Sequence, residues 1–226
     1  MLLINKKEGM NLRVKISGDI VSKTNINKNN YHHGTYAMII DNIDEKFASD
    51  IHNQDSKEYR LFTFSNVYIK EDRFHLYISG ADYIINSFIE NIEKSNIVRI
   101  EDMILAISRI SPCKELTKKD KYLLKGNIIA TEVVDGKKKL LVSDRDINNK
   151  LKFVSQGKLK TMGIEGDIEF EILKKTIRTS QYRQGAHIKN YNVLLLVSGE
   201  YEAIKAIYEV GIGENTASGH GLLWEV

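Results

Sequence analysis

The chain has 226 residues, 42% of them hydrophobic, and charges interrupt every apolar run well before membrane-spanning length, so no transmembrane helix is expected and there is material for one sizeable core or two small domains. A single cysteine, Cys113, excludes an intrachain disulfide and fits a reducing cytoplasm. Net charge is only +3, but Lys114 to Asn192 carries 18 Lys/Arg against 10 Asp/Glu, while Met1 to Cys113 carries 14 against 15 and Val193 to Val226 carries 1 against 5; clustered basic surface is the footprint of polyanion binding.

The opening Met1-Leu2-Leu3-Ile4 is too short an apolar run for a signal peptide, and Met10 is a second candidate start. Leu12 to Ile16 alternates as a half-buried strand, and a polar turn follows at Ser22 to Asn30. A helical stretch covers Tyr31 to Asn53, with a break expected near Asp44. Tyr59 to Ile69 and Phe74 to Ser79 are rich in aromatic and β-branched residues and predict strands around the turn at Lys70 to Arg73. Ile84, Ile85, Phe88, Ile89 and Ile92 recur at helical spacing up to Ser95, and Ile97 to Ile110 reads as a strand with a kink.

Pro112, the only proline, opens a polar run and marks a domain boundary after Cys113. Beyond it the order repeats: a strand over Lys125 to Val134 turning at Asp135-Gly136, a partner at Lys139 to Val142, and a helix capped by Asp144 that runs to Val154. Ile168 to Thr179 and Ile188 to Ser198 pair as long strands, followed by a helix over Glu200 to Glu209 and a last strand at Leu222 to Trp224. The pattern predicts an α+β protein of two tandem ferredoxin-like (βαββαβ) domains, 1–113 and 114–226.

Between that last helix and strand, Gly211-Ile212-Gly213-Glu214-Asn215-Thr216-Ala217-Ser218-Gly219-His220-Gly221 packs four glycines into a loop. A nucleotide-binding glycine loop follows a strand and opens a helix, the reverse of the order here, and neither a dinucleotide fingerprint nor a P-loop lysine is present. Such a loop still lets backbone approach a ligand closely, and RNA phosphates are the natural candidate through Gly211, Gly213, Gly219 and Gly221. Neither half contains the RNA-recognition consensus, so stacking of bases on a sheet face has no support from sequence. The hairpin between the long strands does interleave cations with aromatics: Arg178, Tyr182, Arg183, His187, Lys189 and Tyr191. A solvated hairpin edge is the plainer alternative.

Six histidines supply proton carriers. His52 precedes Lys57 and Arg60 on a segment that enters a strand, which sets a general acid or base beside cations able to stabilise a phosphodiester under attack by its own 2′-hydroxyl. A surface histidine with lysine neighbours is the commoner meaning of that pattern. His32-His33 lacks partners at metal-ligand spacing, so no metal or other cofactor is expected.

The glycine segment after Tyr208-Glu209-Val210, together with Asp50-Ile51-His52, Lys57 and Arg60-Leu61-Phe62-Thr63-Phe64-Ser65, resembles the CRISPR-associated endoribonucleases that process precursor CRISPR RNA, within the RAMP superfamily. The resemblance spans essentially the whole chain and implies a metal-independent cut within the repeat, leaving a 2′,3′-cyclic phosphate and a 5′-hydroxyl. It assigns His52 as general acid/base and Arg60 or Lys57 as electrostatic stabiliser. Some members add a tyrosine on the first helix; the matching stretch here is Ala37-Met38-Ile39-Ile40, so Tyr31 or Tyr36 from a shifted register, or His32 or His33, is left to supply the second proton carrier. CRISPR repeat RNA is the implied partner, with a CRISPR effector complex and a homodimer as further candidates. A non-catalytic RNA-binding subunit of such a complex is the alternative, and a small-molecule-binding regulatory domain is the reading outside nucleic acid.

Overall fold

The computed structural model describes residues 3–4, 12–24, 31–52, 59–183 and 186–226; at residues 3, 4, 12, 50, 52, 182 and 183 the description is of backbone alone. The first part of the chain forms β1 (Leu3–Ile4), β2 (Leu12–Lys23), α1 (His32–Asp41), α2 (Glu45–His52), β3 (Phe62–Phe64), β4 (Tyr68–Lys70), β5 (Arg73–Gly80), α3 (Asp82–Lys94), β6 (Ile97–Ile100) and β7 (Met103–Pro112). The strand that begins at Leu12 runs on to Lys23, longer than its short alternating core suggests. The expected helix break lies at residues 42–44, where the Asn42 side chain donates to the Met38 carbonyl at 2.8 Å and the Asp44 amide to the Ser87 hydroxyl at 2.7 Å.

Two expectations change. Tyr59 to Ile69 is not one strand, because Ser65 closes onto β5: its amide donates to the Tyr77 carbonyl at 2.9 Å and its hydroxyl accepts from the Tyr77 amide at 2.9 Å. The pairing with β5 is thereby interrupted between β3 and β4. Ile97 to Ile110 is likewise a hairpin rather than a kinked strand, with Glu101 at φ 52 in the turn and Ile100 paired to Met103.

The first sheet has the order β1-β7-β2-β5-β3, with β6 on β7 and β4 on β5. Val14 and Ile16 of β2, Phe74, Leu76 and Ile78 of β5, and Leu105 and Ile107 of β7 are buried, as are Met38 and Ile39 of α1 and Ile84, Ile85, Phe88 and Ile92 of α3. The alternate positions, Lys15, Ser17, His75, Tyr77 and Arg109, line the opposite face, with Lys15 registered against Tyr77 and Ser17 against both His75 and Arg109.

The second part forms β8 (Lys121–Ile128), β9 (Thr131–Val134), β10 (Lys137–Leu140), α4 (Asp144–Met162), β11 (Ile168–Arg183), β12 (Ala186–Gly199), α5 (Tyr201–Val210), a 3-10 turn (Thr216–Ser218) and β13 (Leu223–Glu225). Its sheet order is β11-β12-β8-β13, and β9 and β10 form a separate ribbon around the turn at Asp135 and Gly136, both at positive φ. Several boundaries differ from sequence: β8 begins at Lys121, β10 is Lys137–Leu140 rather than Lys139 to Val142, and the long strands extend to Arg183 and from Ala186. The span from Lys125 to Val134 breaks after Ile128, and α4 is capped one residue earlier, by Ser143, and continues past Val154 to a left-handed Gly163. Both main sheets thus follow the βαββαβ order, and the chain is a tandem ferredoxin-like α+β protein. Among the described residues, no helix is long and apolar enough to cross a membrane.

Candidate functional site

Residues 211–221 fold back on themselves between α5 and β13. At Gly221, φ is 83° and an added Cβ would lie 2.4 Å from the Ile212 carbonyl oxygen; at Gly219, φ is 78° and it would lie 2.9 Å from the Phe64 ring and 3.2 Å from the His32 ring. Glycine alone fits either place. The amides of Gly211, Gly219 and Gly221 donate to the carbonyls of Ile207, Thr216 and Asn127, and Gly211, Gly213 and Gly221 are buried. These three amides are engaged within the fold, and the segment shapes the surface between two clefts.

The first sheet holds this segment from below. The Thr63 hydroxyl donates to the His220 carbonyl at 2.7 Å, and the Ser79 hydroxyl to the Glu209 carbonyl at 2.6 Å. Buried Arg13 donates to the carbonyls of Tyr208 at 2.6 Å and Leu223 at 2.7 Å, with its guanidinium over the Tyr208 ring at 3.8 Å. From α4, the Lys158 ammonium nitrogen donates to the carbonyls of Gly211 at 2.7 Å and Gly213 at 3.0 Å. Glu214 accepts from the amide and hydroxyl of Thr131 and pairs with Lys150 at 3.4 Å.

On one flank of the segment lies a cleft of about 320 Å³ lined by Arg60, Lys150, Phe153, Lys158 and residues 213–218. Arg60 is exposed there, and its carbonyl accepts from the Thr216 hydroxyl at 3.3 Å. On the other flank, a cleft of about 340 Å³ takes His32, Gly219 and residues from both sheets. His32, the first residue of α1, meets His220 edge-on at 5.8 Å and Phe64 at 6.0 Å. His33 is exposed on the same helix. Arg178, His187 and Lys189 are exposed on the β11–β12 hairpin, whose base reaches the glycine segment where the Asn190 amide nitrogen lies 3.5 Å from His220 Nε2. α2 ends on His52, whose side chain lies outside the described residues, as do Lys57 and the side chains of Tyr182 and Arg183.

Burial governs the charges. It pulls His32 down to about 4, and it pulls His220 down to about 4 with help from His32 and against a hydrogen bond to the Ser218 backbone. Both imidazoles are therefore neutral at pH 7. Burial also brings Lys158 down to about 7, opposed by Glu214; a neutral amine has two N–H groups, and the two glycine carbonyls use them. Tyr31 is buried and pushed up to about 12 by burial and Asp102, which leaves its phenolate unpopulated at pH 7, and Tyr36 stacks on Phe62 at 6.3 Å.

Arg13 and Lys158 were not singled out from sequence. Arg13 occupies an ordinary polar position of an alternating strand. Lys158 did leave a signal: it stands in the stripe Ile147, Leu151, Val154, Leu159, where a lysine on the apolar side of a helix demands a partner.

Residues 127–224 match the family model described as "CRISPR associated protein Cas6, C-terminal". A solved structure described as "CRISPR associated protein Cas6" is 20% identical, covers 96% of this chain and 100% of its own, and superposes with a TM-score of 0.74. A structure described as "An RAMP protein binding different RNA substrates" is 19% identical over 95% of this chain and 99% of its own, at 0.77. The product of a Cas6-related gene from Pyrococcus furiosus is 22% identical over 96% and 99%, at 0.74. No protein of curated function matches the chain by sequence.

Proposed function

We propose that this chain, whose residues 127–224 match the Cas6 C-terminal family model and whose fold is that of solved Cas6 structures, is a Cas6-type protein and a metal-independent endoribonuclease that cuts precursor CRISPR RNA within the repeat. That likeness supports CRISPR RNA processing or binding; cleavage is the further step. In that step the 2′-hydroxyl of the nucleotide before the cut attacks its own phosphodiester. Its proton passes to a base, the bond from phosphorus to the 5′-oxygen breaks, and the departing oxygen takes a proton. The products are a 2′,3′-cyclic phosphate and a 5′-hydroxyl. His52, at the end of α2, is assigned the proton transfer, and Arg60 with Lys57 the negative charge that grows on the phosphate.

The observation that carries this reading is the setting of Arg60. It lies exposed beside the glycine segment and shares a cleft with Lys150 of α4, so cations from distant parts of the chain face one space of the size a nucleotide needs. His32 and His33 on α1 are the candidates for the second proton carrier; burial disfavours the imidazolium of His32, whereas His33 is exposed. Arg178, Arg183 and Lys189, with Tyr182 and His187, are assigned to the RNA backbone and bases beyond the cut.

The test is single-turnover cleavage of the cognate repeat RNA in EDTA. His52→Ala is expected to slow it by about 10²- to 10⁴-fold while RNA still binds. Tight binding with no cyclic-phosphate product would instead make the chain a non-catalytic RAMP-type RNA-binding subunit. Normal cutting by His52→Ala, with loss in His32→Ala or His33→Ala, would move the site within the same reading.

A further inference from the structure

The face of the first sheet turned away from its helices carries a run of rings, although the RNA-recognition consensus is missing. Tyr68 of β4 stacks on His75 of β5, with centroids 4.9 Å apart and 16° between planes. His75 meets Tyr77 edge-on at 5.7 Å, and Tyr77 meets Trp224 of β13 edge-on at 4.7 Å. The run therefore crosses from the first sheet to the second. Burial, and then the charge of Lys15, lowers the His75 pKa, so this ring too is a neutral aromatic surface at pH 7.

The two ends of the run, Tyr68 and Trp224, line the cleft of about 340 Å³ beside His32, and Tyr68 is 47% exposed. Each stands steeply against Tyr77, at 75° and 72°. Rings fixed in this way lose little side-chain freedom when a flat ligand stacks on them. The same cleft is lined from β8 and β12 by Asn127 and Asn192, and the Asn192 amide nitrogen donates to the Asn127 amide oxygen at 2.9 Å. That bond leaves the Asn127 nitrogen and the Asn192 oxygen as a neighbouring donor and acceptor for a ligand. Lys125, registered against Trp224, adds a cation to the same lining.

We infer that this cleft binds an unpaired RNA base, stacked on Tyr68 and Trp224, its polar edge hydrogen-bonded by the Asn127–Asn192 pair and its phosphate held by Lys125. The inference rests on the RNA reading above and adds a single-strand subsite to it. Aromatic stacking accepts any base, so preference among bases comes from the two amides. Duplex RNA does not enter, because its base edges are already paired.

Trp224 is the only tryptophan of the chain, so its emission reports occupancy without any need for cutting. The full-length protein is titrated at low salt with 5′-labelled oligoadenylate, oligouridylate and oligocytidylate, following label anisotropy and tryptophan emission together. Emission is expected to change in step with anisotropy, and duplex RNA is expected to leave it unchanged. Tyr68→Ala is expected to weaken binding roughly 5- to 150-fold, the range for one stacked base, and Asn192→Ala to reduce the difference in affinity between the three oligomers. The melting temperatures of both variants check their folding, and the emission change in the unaltered protein does not depend on either. Anisotropic binding without an emission change, or with full affinity in Tyr68→Ala, overturns the subsite and leaves the RNA reading standing. Absence of binding by every RNA, the cognate repeat included, overturns both.

Discussion

Arg13→Met tests the seam between the two sheets. Arg13 is 6% exposed, and its guanidinium donates to the carbonyls of Tyr208 and Leu223 and to the Ser79 hydroxyl while lying over the rings of Tyr208 and Trp224. Burial lowers its pKa, and Tyr208, Cys113 and Glu209 act against that. Methionine keeps much of the apolar stem and deletes the fork. Three acceptors lose a charged donor, at about 1.5–3 kcal/mol each, and the ring contacts add about 1–2 kcal/mol. Removing a desolvated cation returns several kcal/mol, so the net loss is about 3–5 kcal/mol, the range for breaking a buried charged contact. For a chain of this length that lowers Tm by roughly 6–20 °C. Thermal unfolding followed by Trp224 emission and by circular dichroism measures it. Arg13→Lys is expected to recover less than half, since a point cation cannot serve the same spread of acceptors. A Tm for Arg13→Met within about 2 °C of wild type would refute the reasoning, because the carbonyls of Tyr208 and Leu223 would then not depend on the guanidinium.

Lys158 is held at about 7 in the fold against about 10.4 unfolded, so the unfolded chain binds the extra proton between those values and stability rises as pH goes from 7 toward 10. Urea midpoints at pH 7 and 9 measure the rise; Lys158→Met is expected to abolish it, and an identical rise in the variant would contradict a neutral buried amine. His32 and His220, at about 4 in the fold against about 6.5 unfolded, contribute stability that is complete above pH 6.5 and is lost as pH falls toward 4. His32→Gln is expected to lessen that slope by up to about 1.4 kcal/mol per pH unit, measured from urea unfolding across the window. Gly163→Ala meets nothing within 4 Å and is expected to cost about 1 kcal/mol, from its left-handed backbone alone. Gly221→Ala drives a Cβ to 2.4 Å from the Ile212 carbonyl and is expected to cost more than about 2 kcal/mol; equal costs would show that residues 211–221 can move aside.

Local signals carried most of the fold. The spacing of Ile84, Ile85, Phe88, Ile89 and Ile92 fixes α3 within a residue of its end, and Asp135-Gly136 marks its hairpin because few other pairs tolerate two positive φ values. What was not legible depends on partners distant in sequence. Ser65 ends β3 through Tyr77, a residue of the neighbouring strand, and no local propensity records that closure. Arg13 reads as a solvent-facing strand cation until α5 and β13 cover it. α4 extends beyond Val154 to Met162, and Lys158 within that extension grips the glycine segment, a partnership that no local pattern records. His32 was a candidate by residue type, but its neutrality comes from being buried beside His220 and Phe64. The rings of Tyr68, Tyr77 and Trp224 lie on three strands and form no motif in the sequence.

The central claim is that this chain cuts repeat RNA with its own side chains, His52 foremost. The direct measurement is single-turnover cleavage of 5′-labelled repeat RNA in EDTA by the unaltered protein and by His52→Ala, with the ends of the product identified. The expected result is one cut within the repeat, a 2′,3′-cyclic phosphate on the upstream fragment, and a loss of about 10²- to 10⁴-fold in the variant with RNA binding retained. Bound repeat RNA left uncut by the unaltered protein, or cut at the same rate by His52→Ala, would contradict it.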